Sequence, residues 1–436
     1  MSSNPAEGRL FVLRHPDLRR YISARFIVAM ATQIQTVAVG WQVFSVSGDP
    51  FDLGLVALSQ FLPFIVLILP AGHVADRYDR RRVQLLTYVL LAVCSATLLA
   101  LALAGINDIG PVLGVMVIFG IARAFNQPTG QALLPNIAPP GSFPRAVSMS
   151  SSLLQVATIA GPALGGALVV LGVEVAYALA ALLIVAGVVL VSGLRGGGRE
   201  EGARRPVSWA TLMSGITFVR SKPVVLGSIS LDLFAVLFGG ATALLPIYAG
   251  DILDVGPVGL GVMRAAPAVG TALLAVVVTI RPIRRHVGRW IFGGVAAFGA
   301  ATIVFGLSTS LALSLAALIV MGAGDEVSVY IRHLLVQLET PDEIRGRVSA
   351  VNSVFIGASN ELGEFESGVT AAWWGIVPAV LVGGAATLTV AAVWTRFFPV
   401  LWRLDRFPDP SHPEVGTWSR ITSAVSRDSD AAPDGR

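Results

Sequence analysis

Acidic residues stand inside several long apolar segments of this chain, where an isolated charge is costly. The acids in such positions, each a candidate for carrying a coupling proton, are Asp232, Asp325, Glu326, Glu361 and Glu364. Glu361 and Glu364 are three residues apart and therefore share one face of a helix. Two carboxylates held together in a low dielectric favour keeping a proton on one of them. We expect a proton site here, with Glu361, the deepest in its segment, as the leading candidate and Asp232 as the second.

The same acids have a second interpretation, as partners in permanent ion pairs. Arg123 and Arg264 also lie inside apolar segments, and a fixed pair with either arginine would stabilise helix packing without a role in transport. This alternative applies most strongly to Asp325, because the residue 202 positions earlier is Arg123. The sequence leaves both interpretations open.

Polar side chains in the apolar segments are also able to hydrogen-bond a passing solute. The predicted substrate-binding residues are Gln33, Asn126, Asn360, Arg123 and Arg264. We expect Gln33 and Asn360 in particular to face water.

The segments that position these residues are apolar enough to lie in a membrane. Of 436 residues, 54% are hydrophobic and only 13% are charged. Runs of ~20 apolar residues cross a bilayer as helices, because their backbone cannot hydrogen-bond to lipid. We predict an all-α integral membrane protein with twelve transmembrane helices, at 21–46, 53–75, 84–105, 110–132, 146–170, 174–194, 223–249, 257–280, 290–308, 311–334, 347–369 and 377–398.

The placement of basic residues predicts the orientation of these helices. Outside the apolar segments, lysine and arginine occur only in the two terminal segments and in alternate loops, such as 77–82 and 195–222. The intervening loops hold none and carry acids such as Asp49, Asp108 and Asp251. Short loops with lysine and arginine stay in the cytoplasm. Both termini are therefore predicted to be cytoplasmic, in a bacterial inner membrane.

The predicted helices divide into two halves of six, joined by the longest internal loop. The segments are a cytoplasmic N-terminus 1–20, a six-helix bundle 21–194, a linker 195–222, a second six-helix bundle 223–398 and a disordered tail 399–436. Apolar linker residues at helical spacing, among them Trp209, Ile216 and Val219, predict a short amphipathic helix on the cytoplasmic membrane surface. A plain extension of the seventh transmembrane helix is the alternative.

The two halves repeat one pattern at a fixed offset. A shift of 202 residues places Gly161 on Gly363 and Gly166 on Gly368. The fifth and eleventh predicted helices thus occupy equivalent positions in the two halves. Duplicated six-helix halves are the architecture of one large transporter class.

Two local motifs resemble the major facilitator superfamily. The run 72–82, Gly-His-Val-Ala-Asp-Arg-Tyr-Asp-Arg-Arg-Arg, resembles the loop motif between the second and third helices of that superfamily, although Asp79 stands where the motif has a glycine. The run 161–166, Gly-Pro-Ala-Leu-Gly-Gly, is similar to the Gly-Pro motif of its drug–proton antiporters. The resemblance implies the major facilitator fold of two six-helix bundles.

The second half of the chain is similar to one group within that superfamily. The runs 264–267, 345–352 and 359–366 resemble the enterobactin-exporter-like group, also called transmembrane secretion effectors. Members of this group export varied compounds, so the resemblance implies export without naming a substrate.

The resemblance also implies a set of gating residues, which is Gly72, Asp76, Arg77, Arg81, Gly161, Pro162, Gly165 and Gly166. Asp76 is expected to bond the N-terminus of the eleventh helix when the cytoplasmic side is shut. The glycines of the fifth helix are expected to let another helix approach closely, and Pro162 to bend its helix, forming a tight seam between the halves. The alternatives are that the arginines only fix topology and that the glycines only pack.

These features predict a secondary active transporter that exports a small amphiphilic compound, such as a drug or siderophore, in exchange for protons. A proton-coupled uptake symporter with the same fold is the alternative, and a non-transporting membrane sensor is a more remote one. An enzyme is not expected, because the chain has no His-Glu-x-x-His pair and no phosphate-binding loop. We expect a monomer with no cofactor, metal or nucleic-acid partner.

Cysteine labelling tests the predicted topology. In a chain whose only cysteine, Cys94, has been replaced, a cysteine at position 252 should react with a membrane-impermeant maleimide from outside the cell. A cysteine at position 200 should react only from inside, because arginine-bearing loops stay in the cytoplasm. The reverse labelling pattern would contradict the topology.

Overall fold

A computed structural model describes residues 15–106, 108–139, 141–196 and 209–408. The predictions for the extreme N-terminus, for most of the glycine-rich part of the linker and for the tail beyond 408 fall outside these residues. The described chain is helical and contains no β-strand.

The helices coincide with the predicted segments, and most are longer by a turn at the ends that carry arginine. In the first half and linker they are α1 (Pro16–Ser47), α2 (Pro50–Arg77), α3 (Arg80–Leu103), α4 (Ile109–Ile137), α5 (Phe143–Val169), α6 (Val173–Ser192) and α7 (Trp209–Ser221). In the second half they are α8 (Pro223–Phe238), α9 (Gly256–Ile280), α10 (Val287–Leu307), α11 (Leu311–Glu339), α12 (Asp342–Trp374) and α13 (Ile376–Phe397), followed by a short helix, Pro399–Trp402. We call the helix ends around residues 78, 284 and 340 the basic side, and those around 48, 171, 254 and 375 the acidic side.

The acids of α12 distinguish it from the other transmembrane helices. By length and apolar composition alone, eleven helices among the described residues are able to cross a membrane, and α12 is not one of them. With 33 residues, α12 is about 50 Å long, more than the ~30 Å thickness of the hydrocarbon core. A helix is therefore present at each of the twelve predicted positions, and eleven of these helices qualify as membrane spans by composition. If α12 also crosses the membrane, its acids must face away from lipid.

The helices form two bundles. Helices α1–α6 pack on one another, as do α8–α13, and the two groups meet mainly where α5 packs on α9 and where α2 packs on α12. This is the predicted major facilitator architecture of two six-helix bundles.

The seventh transmembrane segment is interrupted near its middle. After α8 the chain continues through a 3-10 turn, one α-helical turn and a π turn to Ile252. A Cβ atom on Gly240 at this break would lie 2.3 Å from the carbonyl oxygen of Gly363 in α12. The absence of a side chain at position 240 therefore allows the broken segment to touch α12, and it brings Thr242 next to that helix.

Glycine pairs join the two bundles on the acidic side. A Cβ atom on Gly368 of α12 would lie 2.7 Å from the Cα atom of Gly54 in α2. A Cβ atom on Gly166 of α5 would lie 2.9 Å from the Cα atom of Gly261 in α9. Such separations leave no room for a side chain and permit direct backbone contact between membrane helices. The bundles are thus in close contact on this side.

An aspartate caps the turn between α2 and α3 at the position where the superfamily motif has glycine. Asp79 has φ −59°, so its backbone does not need the left-handed region. Its Oδ1 accepts hydrogen bonds from the backbone N–H groups of Arg81 and Arg82, at 2.9 and 3.2 Å. An N-cap aspartate stabilises a helix by about 1 kcal/mol relative to alanine. The tight turn is therefore compatible with the departure from the motif.

The amphipathic linker helix is α7, and it is separate from α8. The chain between them adopts an extended conformation at Lys222, so α7 is not a continuation of the seventh segment. Val219 of α7 is buried with Val351 of α12, and Arg347 Nη1 donates to Ser214 Oγ at 3.3 Å. The linker helix therefore packs against the basic end of α12.

The glycine pairs predict the effect of adding a side chain between the bundles. Gly368→Leu should hold α2 and α12 apart, because its Cβ atom alone would overlap the backbone of Gly54. Spin labels at Glu174 and Ser310 would lie on the acidic ends of the two bundles. The distance between them, measured by double electron–electron resonance, should lengthen. Gly114→Leu is the matched control, since a Cβ atom at Gly114 has no neighbour within 4 Å. An unchanged distance in Gly368→Leu would show that this contact does not close the acidic side.

Candidate functional site

A cavity of about 470 Å³ lies between the two bundles. We call it the central cavity. Its polar lining residues include Gln33, Gln155, Thr242, Arg264, Asp325, Asn360 and Glu364. Val236, Leu245, Phe298 and Met321 add apolar walls. A cavity of this size and mixed polarity accommodates a small organic molecule.

A salt bridge joins the two bundles near this cavity. Arg123 Nη1 of α4 donates to Glu361 Oε1 of α12 at 2.7 Å. The Glu361 side chain is only 15% exposed, and the Arg123 guanidinium also lies 5.7 Å from the centre of the Phe64 ring. Charge-assisted hydrogen bonds of this length are the strong class. The pair therefore links two helices that belong to different halves of the protein.

Glu364 lies one helical turn from Glu361 and faces the central cavity. Thr242 Oγ1, in the broken seventh segment, donates to Glu364 Oε1 at 3.3 Å. Arg264 of α9 lines the central cavity together with Glu364, and its Nε atom is buried without a hydrogen-bond partner among the described residues. A carboxylate and a guanidinium thus face one polar space without forming an ion pair.

A second charged cluster is enclosed within the bundle α8–α13. Asp232 of α8 forms an ion pair with Arg332 of α11 and accepts a hydrogen bond from Ser328 Oγ at 3.1 Å. Asp232 and Arg332 are almost fully buried. Asp325 lies two turns before Arg332 on α11, interacts electrostatically with both charges of the pair, and lines the central cavity. Asp232 therefore has an arginine partner, but this partner is neither Arg123 nor Arg264.

The other predicted site residues are divided between several places. Gln33 and Asn360 line the central cavity, as do Arg264, Asp325 and Glu364. Asn126 lies elsewhere, where its Oδ1 accepts a hydrogen bond from Gln84 Nε2 at 2.7 Å. The carboxylate of Glu326 is half-buried and makes no hydrogen bond or ion pair within the described part of the chain.

The predicted gating glycines of α5 have two different neighbours. Cβ atoms on Gly161 and Gly165 would meet Gln33 and Ile34 of α1, in the same bundle. The Pro162 carbonyl and Gly166, by contrast, face the other half and approach α9. The seam between the halves thus involves Pro162 and Gly166, while the two other glycines pack their own bundle.

The gating residues of the α2–α3 loop lie at the basic side. A Cβ atom on Gly72 has open space around it, Arg77 is exposed, and Arg81 donates to the carbonyl oxygen of Ser192 at the end of α6. Asp76 is the second-last residue of α2, and its side chain is not among those described. The latch assigned to Asp76 stays a prediction.

Two residues that shape these sites are not among the sequence-based candidates. Arg332 lies inside the predicted segment 311–334, so a search for all intramembrane charges would have found it. Arg332 also follows Asp325 by seven residues, a spacing that puts both on one helix face. Thr242 carries no comparable signal, because its position depends on the break in the seventh segment.

The fold is that of a membrane transporter. A POT family transporter in complex with a thioalcohol-conjugated peptide superposes with a TM-score of 0.71, at 14% identity, over 88% of this chain and 96% of that chain. A bacterial homologue of the human lysosomal transporter Spinster gives 0.66, at 15% identity, over 92% of this chain and 98% of that one. At these identities the likeness concerns the fold alone.

The sequence then specifies the family. Residues 9–413 match the transmembrane secretion effector family, and the chain belongs to that family of major facilitator transporters. It is 26% identical over 393 residues to the multidrug efflux pump Tap of Mycolicibacterium fortuitum, covering 86% of this chain and 94% of that protein. It is 25% identical over 370 residues to the MFS-type transporter YfiS of Bacillus subtilis, covering 80% and 85%. The protein is thus a multi-pass membrane transporter of small molecules and not an enzyme.

The buried pair of α8 and α11 predicts a loss of stability on removal of one partner. Arg332→Met should lower the free energy of unfolding by ~3–5 kcal/mol, because it leaves the Asp232 carboxylate buried without a counter-charge. Thermal unfolding of the purified protein in detergent measures the effect. Adding Asp232→Asn should recover part of the loss.

Arg285→Met is the matched control for this measurement. Arg285 Nε lies 3.9 Å from Asp405 Oδ2 in an exposed pair, and such pairs contribute about 0–1 kcal/mol. Equal unfolding temperatures for the Arg332 and Arg285 variants would show that the buried pair does not stabilise the bundle.

Proposed function

We propose that this protein is a secondary active transporter that exports a small amphiphilic compound across the bacterial inner membrane in exchange for protons. It acts as a monomer, with the basic side and both termini in the cytoplasm. Three observations support the proposal: the polar cavity between two bundles, the one-sided placement of arginine, and a relative that is a multidrug efflux pump.

The Arg123–Glu361 salt bridge is the observation that carries the proposal. It joins α4 and α12 at 2.7 Å and so links the two bundles. Ionised Glu361 attracts Arg123 at this short distance, although the attraction is partly screened because the Arg123 side chain is 39% exposed and that of Glu361 15%. A proton on Glu361 removes that attraction and leaves Arg123 without its partner. Protonation therefore shifts the balance between different arrangements of the bundles.

The charges of the central cavity explain how protons and substrate would compete. Asp325 and Glu364 line the cavity beside apolar walls, an environment that suits an amphiphile with a cationic group. A proton on either carboxylate weakens the attraction for such a cation, and by linkage a bound cation weakens the affinity for the proton. Antiport follows when the two ligands exclude each other in this way.

The export direction is supported by the Gly-Pro motif and by the relatives. Pro162 and Gly166 lie at the contact between α5 and α9, within the run that resembles drug–proton antiporters. The relative from Mycolicibacterium fortuitum is a multidrug efflux pump. Export of an amphiphilic drug or siderophore is consistent with both.

Substitution of Glu361 tests the coupling. Glu361→Gln resembles the protonated side chain in shape and carries no charge, so it should abolish proton-driven accumulation of transported dyes in everted membrane vesicles. It should still permit exchange of dye down its own gradient, because the cavity keeps its walls and its remaining acids. Ethidium and other lipophilic cations serve as the probes, with accumulation followed by fluorescence as the pH gradient is imposed.

Glu366→Gln is the matched control on the same helix. Glu366 is half-buried and lies nearer the acidic end of α12, so its loss should reduce accumulation less than the loss of Glu361. If Glu361→Gln still concentrates the dye against its gradient in a pH-dependent way, Glu361 is not the coupling residue.

A further inference from the structure

A second polar cavity lies inside the α1–α6 bundle, apart from the central cavity. Its volume is about 240 Å³. We call it the polar chamber, and its polar lining includes Arg25, Gln84, Tyr88, Asn126, Gln127 and Gln131. At ~30 Å³ per water molecule, the chamber has room for several waters or for the polar group of a ligand.

Arg25 brings a positive charge into this chamber without an acidic partner. Its Nη1 donates to Ser150 Oγ at 2.9 Å, and its guanidinium lies 5.9 Å from the centre of the Tyr21 ring. Among the described residues, no carboxylate lies within ion-pair distance of it. An intramembrane arginine without a counter-charge is costly, and such residues commonly belong to ligand or ion pathways.

A buried amide in the chamber is also incompletely bonded. Gln84 is 1% exposed; its Nε2 donates to Asn126 Oδ1, but its Oε1 has no hydrogen-bond partner in the described part of the chain. A buried polar atom left in this state is unfavourable unless a bound molecule satisfies it. Turning the side-chain amides of Gln84 and Asn126 by 180° keeps a hydrogen bond between them, now donated by Asn126. The NH₂ group of Gln84 then faces the chamber in place of its oxygen. The chamber can thus offer either a donor or an acceptor beside Arg25.

The charges of the two cavities are opposite in sign. Asp325 and Glu364 line the central cavity with a single arginine, Arg264, whereas the chamber is lined by Arg25 and no acid. We propose that the polar chamber is an anion site, in which Arg25 binds a carboxylate or a small oxyanion and the surrounding amides complete its hydrogen bonds. Arginine suits this role, since its planar guanidinium matches the geometry of carboxylate and phosphate.

The chamber adjoins the translocation route. On α1, Thr32 lines the chamber and the next residue, Gln33, lines the central cavity. On α5, Leu154 lines the chamber and Gln155 lines the central cavity. The two cavities are therefore lined by adjacent residues of α1 and of α5. The bound anion has two possible sources with the same chemistry: a carboxylate that the transported compound carries in addition to its cationic group, or a free anion.

Equilibrium dialysis of the purified full-length protein in detergent tests the site. Radiolabelled benzoate and radiolabelled phosphate are the probes, used separately. Wild-type protein should bind at least one of them saturably. Arg25→Gln should weaken the affinity by about tenfold or more, because it removes a charge-assisted contact, and Arg25→Lys should retain part of it.

Two further variants keep the test decisive if Arg25→Gln folds poorly. Gln131→Glu places an acid in the chamber at an exposed position and should also suppress binding. Arg145→Gln removes an exposed arginine from the start of α5, outside the chamber, and should bind as the wild type does. No saturable binding of either probe, or equal losses in the Arg25 and Arg145 variants, would overturn the proposal.

Exchange in proteoliposomes distinguishes the two sources. If the anion belongs to the transported compound, wild-type proteoliposomes should exchange labelled benzoate and Arg25→Gln proteoliposomes should not. If it is a free anion, benzoate should bind in dialysis without being exchanged. This assignment rests on the proposed transport function, whereas the dialysis result does not, so the two can fail separately.

Discussion

A charge inside a bilayer needs a partner, a proton or water, and the interior of this protein is arranged around that requirement. Asp232 meets it with Arg332 inside one bundle, and Glu361 meets it with Arg123 across two. Glu364 is reached by Thr242 only because the seventh segment is broken. The same requirement explains why α12, the least apolar transmembrane helix, lies at the interface between the two bundles. There its acids can face a polar cavity.

The internal repeat has a direct structural consequence at the acidic side. Gly166 and Gly368 are equivalent under the 202-residue shift, and each packs against a glycine of the opposite half. Their partners, Gly261 and Gly54, are separated by 207 residues and so do not share that offset. Helices α5 and α12 thus present glycines at equivalent positions to the opposite half. The glycines that they contact, on α9 and α2, are not at equivalent positions.

The sequence was sufficient for the fold but only partly for the site. Apolar length and the backbone's need for internal hydrogen bonds define eleven transmembrane helices among the described residues, whereas α12, which carries four glutamates, is not defined by apolar composition alone. Pairing could not be derived in the same way, because periodicity gives the face of a helix and not the neighbour of that face. The sequence therefore indicates neither the contact of Asn126 with Gln84 nor the pairing of Asp232 with Arg332.

Under the proposed alternating-access mechanism, the location of an ion pair relative to the moving bundles separates the two roles that the sequence left open for the acids. Rocking of one bundle against the other leaves distances within a bundle unchanged and alters those between bundles. The Asp232–Arg332 pair lies within one bundle, so its energy is similar in every state and its effect is on stability. The Arg123–Glu361 pair spans both bundles, so its energy differs between states. Only a contact of the second kind can make conformation depend on protonation.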